Sequence, residues 1–198
     1  MNPPADQPPN APAAGFEAFL QLLDQPVYVV TTAAGGEGDD QDNQDDRDDG
    51  NRAGCLVGFG SPCSLRPARF AVWLSHANRT YRMACRSTVL AVHLLPADDA
   101  GAALARLFGG ETGDEVDKFA RAGWRPGPAG VPVLTEAVAW FAGRVVGRVE
   151  GGDHTGFLLS PLDGAQAGGA AALPPAARRD VTALTLRDVD GIDPGHPA

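Results

Sequence analysis

The spacing of apolar positions changes character several times along the chain, and each change marks an element. Phe16, Phe19, Leu20 and Leu23 fall at i, i+3, i+4 and i+7, the stripe of a short amphipathic helix. Pro26 ends it, because proline has no amide proton for a further turn. The run Val27-Tyr28-Val29-Val30-Thr31-Thr32 that follows is dense in β-branched and aromatic side chains and predicts a strand. Further strand-like runs cover 55–59, 69–75, 89–95, 138–149, 156–159 and 181–189. Two helices interrupt the series. One spans about 98–108, with Leu104, Leu107 and Phe108 turned inward. The other is predicted from Thr112-Gly113-Asp114-Glu115, whose spacing is that of a capping box, with Val116, Phe119 and Ala120 as its buried stripe. The pattern is mostly antiparallel strands with helices packed outside rather than βαβ units. No G-x-G-x-x-G follows the first strand, so a Rossmann dinucleotide site has no support.

Three stretches carry no such periodicity. Residues 1–15 are rich in Pro and Ala and read as a disordered tail, without the basic flank and apolar core of a secretory signal. Residues 37–52 hold eight acidic side chains against Arg47 and Arg52, which is -6 of the chain's net charge of -9. They cannot bury apolar surface and their charges repel, so a disordered hairpin excursion is expected. Their Asp spacing is not that of a calcium loop. Residues 164–179 shift to Ala, Gly and Pro and read as a loose loop. The expected organisation is a tail over 1–15 and one domain over 16–198, with low-complexity insertions at 35–52 and 164–179.

Charge and composition exclude several function classes. Outside the acidic stretch the chain is nearly neutral and offers no concentrated basic surface, so nucleic acid is not expected as a partner. No apolar run is long enough to span a membrane, and a cytoplasmic protein is expected. Cys55, Cys63 and Cys85 are too few for a disulfide scaffold and lack zinc-ligand spacing, so no metal site is expected.

Candidate chemistry gathers between Gly54 and Arg82. Gly54, Gly58 and Gly60 allow close approach to the backbone. Leu56 and Val57 offer apolar surface for a flat ring, and Ser61 and Ser64 offer hydroxyls. The same residues also read as a glycine-containing strand and a Ser/Pro turn. In Ser75-His76-Ala77-Asn78-Arg79-Thr80-Tyr81-Arg82, Asn78 and Thr80 serve equally as local caps. Together with Arg86, Arg79 and Arg82 form a cationic patch suited to a phosphate monoester. His154, after Asp153, is a turn residue paired with that carboxylate or an imidazole at a site mouth.

Read in order, these pieces resemble the flavin-reductase-like, FMN-binding split-barrel family, in particular its actinobacterial-type members. The resemblance is carried by residues 26–32, AGCLVGF at 53–59, CSLRPARF at 63–70 and LSHANRTYRMA at 74–84. It continues through LAVHLL at 90–95, FGGETGDEVDKFA at 108–120, GVPVLTEAVAWFAGRV at 130–145, GDHTGFLL at 152–159 and the terminal DPGHPA. It implies a mainly β fold, a Greek-key-like antiparallel split barrel with peripheral helices. It also implies an NAD(P)H-dependent reductase that transfers hydride to FMN, or to FAD, from NADH or NADPH, and supplies reduced flavin to a monooxygenase. A non-catalytic flavin-binding protein and an F420- or haem-related split barrel are the alternatives. By the same resemblance, Leu56, Val57 and Gly58 line the isoalloxazine, and Cys63 and Ser64 lie along the ring or ribityl chain. Asn78, Thr80 and Tyr81 approach the ribityl-phosphate end, with Arg79 or Arg82 neutralising the phosphate. His154 borders the nicotinamide, and the family is commonly homodimeric, with Trp124 or Trp140 near the interface. Many relatives carry Thr or Ser where this chain has Cys55 to Gly58, and Pro62 removes a backbone donor.

Overall fold

The computed structural model describes residues 14–34, 51–166 and 183–192. Most of the expected tail, the acidic insertion over 35–50 and the Ala/Gly/Pro stretch from 167 lie outside the described residues, as does the terminal DPGHPA. The elements in chain order begin with α1 (Ala14–Leu22), β1 (Tyr28–Ala33), β2 (Arg52–Val57), β3 (Gly60–Leu65) and β4 (Ala68–Ser75). They continue with α2 (Arg79–Ala84), β5 (Val89–Leu94), α3 (Asp99–Gly110), β6 (Trp124–Pro126), β7 (Pro132–Leu134), β8 (Ala139–Glu150) and β9 (His154–Gln166).

Seven strands form one sheet in the order β2-β1-β5-β8-β9-β4-β3, and β6 pairs with β7 in a second. Every pairing is antiparallel. The outermost strands, β2 and β3, are consecutive in sequence with only Gly58 and Phe59 between them. That short link forces the sheet to curl until its two edges approach; the bond from the Trp73 amide to the Phe59 carbonyl at 2.9 Å carries the β3–β4 ladder up to the link. The sheets do not close into one barrel, which is the split-barrel arrangement expected from the sequence.

Period-two alternation decides what the curl encloses. Tyr28, Val30, Cys55, Val57, Val72, Leu74, Leu90, Val92, Phe157 and Leu159 all turn into one inner core. The alternate residues Val27 and Val29 face outward and are covered by Leu104, Ala105, Leu107 and Phe108 of α3, with Phe119, Leu134 and Leu184. Each such side chain stabilises by about 1.5–3 kcal/mol on full burial, so both faces of β1 contribute.

Several predicted elements differ in the structure. The strand over 60–65 was hidden in the Ser/Pro reading, and β9 runs on through residues 164–166 of the predicted loop. The described part of the predicted run 181–189, residues 183–189, forms no strand. Leu184 donates to Leu95 and accepts from Val27, and the Leu186 amide donates to Gln25 at 3.0 Å, so the segment meets β1 and β5 only through isolated bridges at Ala183 and Thr185. Asp188 then accepts from the Thr185 amide at 2.8 Å and turns the chain into a single 3₁₀ turn over Arg187–Val189. The capping box at Thr112 starts no α-helix either. Thr112 Oγ1 accepts from Asp114 rather than Glu115, and Asp117 begins a separate cap on the Phe119 amide at 2.9 Å. The outcome is a 3₁₀ turn over Lys118–Ala120, with Phe119 still buried. Helix α1 forms as predicted, but its stripe is exposed. Among the described residues no helix is long and apolar enough to cross a membrane.

Candidate functional site

As an edge strand, β2 has one side without a strand partner, and the hydrogen bonds show which residues face that side. The Val27 amide is spent on Leu184, away from β2. By the two-residue period Tyr28, Val30 and Thr32 therefore bond to their register partners Val57, Cys55 and Ala53. Gly54 and Leu56 are left with N–H and C=O groups pointing outward. Consistent with this, the Gly54 carbonyl accepts from Lys118 Nζ at 3.4 Å.

That open edge borders a cleft of about 540 Å³. One wall is Leu56, Val57, Gly58 and Phe59, completed by Phe108 and Gly109 at the end of α3 and by Val189 and Ile192. The other is Trp73 to Asn78, with Asp153 and His154 from the β8–β9 turn. A Cβ on Gly58 would come within 2.8 Å of Leu186 Cδ2, so the residue after β2 stays small where the C-terminal segment crosses it. Asp153 accepts from His154 Nδ1 at 2.8 Å, and this bond, with the charges of His154 and His76, holds its carboxyl below the usual range. His76 Nε2 meets Thr155 Oγ1 at 2.9 Å, and Thr155 donates to Glu150 at 3.2 Å.

At Asn78 the cleft adjoins a polar one of about 180 Å³ that carries Arg52, Arg79 and Lys118. Asn78 caps α2, its side chain accepting from the Thr80 amide at 3.0 Å. Arg79 reaches across to the Gly113 carbonyl at 2.8 Å. Arg52 stacks on Trp124, 4.5 Å from the ring centroid. Lys118 is only 5% exposed and also donates to the Phe108 carbonyl at 3.0 Å. Burial lowers its pKa, while Cys55 and Glu111 act in the opposite sense. Cys55 lies in the inner core, where burial pushes its thiol up to about 11 despite hydrogen bonds to Thr80 and Asn78; it is not a nucleophile at neutral pH.

The structure gathers Leu56, Val57, Gly58, Asn78 and His154 around the larger cleft, and Asn78, Arg79 and Thr80 around the smaller. Four expected site residues line neither. Cys63 is exposed on β3, and Ser64 donates to the Pro67 carbonyl at 2.6 Å. Tyr81 packs its ring on His76, centroids 4.7 Å apart, and on Phe157. Arg82 faces solvent and holds both Asp114 carboxylate oxygens at 2.7 Å. Trp73, Phe108, Lys118, Val189 and Ile192 line the clefts without having been singled out. For Trp73 a signal existed: alternation against Val72 and Leu74 turns it out of the core.

Comparison with known proteins gives a family and a fold. A sequence model described as the flavin reductase like domain matches residues 20–177. An FMN reductase (NADH) RutF from Methylorubrum extorquens is 29% identical over 186 residues, covering 94% of this chain and 82% of the relative. The corresponding protein of Methylorubrum populi is 32% identical over 94% of this chain and 83% of its own. Among solved structures, the NADH:FAD oxidoreductase SgcE6 of Streptomyces globisporus superposes with a TM-score of 0.63 at 22% identity, over 82% of this chain and 87% of that one. Spread over Methylorubrum and Streptomyces, these matches do not single out the actinobacterial type expected from the sequence.

Proposed function

The chain belongs to the flavin reductase like domain family, and on that premise we propose that it is an NADH-dependent FMN reductase. The observation that carries the reading is the pairing of two clefts. A ring-sized apolar cleft against an open strand edge continues, at Asn78, into a polar one where Arg52, Arg79 and Lys118 stand with Asp114, Glu115 and Asp117. The volume of the larger lies in the usual range for small-molecule sites, about 300–1,000 Å³, and its few polar groups are directional. FMN, when bound, supplies the two-electron acceptor.

The chain's own residues position and neutralise. Leu56 offers its outward N–H and C=O to the polar edge of a flat ring, while Leu56, Val57 and Gly58 lie along its face. Arg79 and Lys118 neutralise a phosphate, with Asn78 and Thr80 beside it. Of the two arginines expected at the phosphate, Arg79 is the one assigned here, since Arg82 is committed to Asp114. His154, oriented by Asp153, borders the hydride donor. The preference for FMN and NADH rests on relatives whose names carry both. Phe59 at the cleft mouth is 51% exposed, and an open mouth suits a reduced flavin that leaves for an oxygenase partner. A second copy of the chain is proposed to cover the apolar stripe of α1.

Dissociation constants for FMN and riboflavin test the phosphate assignment. Arg79→Ala is expected to weaken FMN by ~10-fold or more, the loss of one charge-assisted contact, and to leave riboflavin within about twofold. Equal losses for the two ligands contradict it.

A further inference from the structure

Across the cleft from the open edge of β2 stands an aromatic wall. Trp73 sits on β4 between Val72 and Leu74, both inner-core residues, so the strand period turns its indole to the opposite face. Its cross-strand neighbour on β9 is Gly156. A Cβ on Gly156 would lie 3.1 Å from each of Cε3, Cζ3 and Cη2 of the indole. A point equidistant from three successive atoms of a six-membered ring lies on that ring's axis, so the ring rests face-down on the glycine. At Gly151 a Cβ would come within 2.5 Å of Cζ3. These two glycines form a floor that fixes the indole flat. Trp73 also lines the cleft and is half-buried, with one ring face taken by the glycines. Phe59 lies edge-on to His154 at 5.5 Å, and Asp153 pairs with His154, so the wall ends in a carboxylate.

We propose that Trp73 is the stacking residue for the nicotinamide of the hydride donor and stabilises the positive charge that this ring acquires. The proposal rests on the reductase reading. In the reaction the C4–H bond of the dihydronicotinamide breaks with both its electrons, and the hydride bonds to flavin N5. The nicotinamide is oxidised to a pyridinium cation and the flavin is reduced by two electrons; the proton that completes the reduced flavin comes from water. The negative face of an indole attracts a cation but gains little from the neutral dihydropyridine. Trp73 therefore binds the ring more strongly as the transition state is approached.

The test is calorimetric titration of the FMN-loaded chain with NAD+ and of the flavin-free chain with FMN, for the wild type, Trp73→Leu, Trp73→Phe and Gly156→Ala. Trp73→Leu is expected to weaken NAD+ by ~10-fold, about 1.4 kcal/mol, and Trp73→Phe by less, following the order of ring–cation strength. Gly156→Ala retains the indole but lifts it off its floor, and is expected to weaken NAD+ as well. FMN affinity is expected to stay within about twofold in all three, since a role confined to shaping the cleft would move both ligands. NAD+ affinity unchanged in Trp73→Leu, equal losses of FMN and NAD+, or no measurable NAD+ binding by the wild type would each overturn the proposal. Wild-type turnover separates the two levels. If the chain binds FMN but takes no hydride from NADH, the reductase reading fails. If it does reduce FMN and the variants match it in NAD+ binding, only the assignment of Trp73 fails.

Discussion

His93 stands on β5 with no exposed surface, and both of its ring nitrogens are used. Nδ1 donates to the Val29 carbonyl at 2.9 Å, and Nε2 accepts from the Leu134 amide at 3.2 Å. The imidazole is thus a neutral bridge between β1 and β7, and burial pushes its pKa down to about 4 from the ordinary 6.5. Its folded pKa lies below the unfolded one, so the unfolded chain binds more protons between those values. Stability is full above pH 6.5 and falls as pH drops toward 4, by about 3 kcal/mol in all. Denaturant midpoints measured between pH 7 and pH 4.5 are expected to fall in the wild type and to change less in His93→Gln, whatever the variant's starting stability. A parallel fall in both would contradict the assignment. None of this was legible in the sequence, where His93 is one polar position in a strand run. Lys118 was hidden for the same reason: the spacing of residues does not announce a lysine whose ammonium closes two backbone carbonyls. Leu56, Val57, Gly58, Asn78 and Arg79 were legible, because close approach, apolar contact and charge are properties of residue type.

At the scale of elements, strands packed on both faces were the easiest to read. The runs behind β1, β4, β5 and β8 carry β-branched and aromatic residues whose burial the sheet requires. Strand β3 contains Pro62 and two serines and lies at an edge with mostly exposed side chains, so its strand character comes from pairing with β4 and not from pattern. The C-terminal segment pairs only through isolated bridges at Ala183 and Thr185 rather than a ladder, while Val189 and Ile192 serve the cleft wall, so its apolar run does not make a strand. Helix α1 was read correctly as amphipathic, yet Phe16 and Phe19 are 53% and 56% exposed. A contiguous apolar stripe of this kind marks an interaction surface. Light scattering is expected to give twice the chain mass for the wild type, and about the chain mass once Phe16 and Phe19 are both replaced by Glu. A monomeric wild type, or a double variant that remains dimeric, would count against a second copy on this face.

For the molecule as a whole, the curl of the sheet determines the chemistry available. It leaves β2 at an edge, with Gly54 and Leu56 turned outward, and it brings the β8–β9 turn and the end of β4 to face them. The two clefts meet at Asn78 because that residue ends the turn after β4 and begins α2. Apolar ring contact, backbone hydrogen bonds and cationic charge therefore occur in the sequence a phosphorylated flavin presents. Hydride transfer asks for orientation and a developing-charge partner rather than a strong general acid; on the reductase reading proposed above, β2 is assigned the first and Trp73 the second. The most direct measurement is anaerobic mixing of the purified chain, loaded with FMN, with one equivalent of NADH, while the flavin's visible absorption is followed. Loss of that absorption at a rate that saturates with NADH is the result predicted. Flavin that stays bound and oxidised, or a folded chain that retains no FMN at all, would contradict the account.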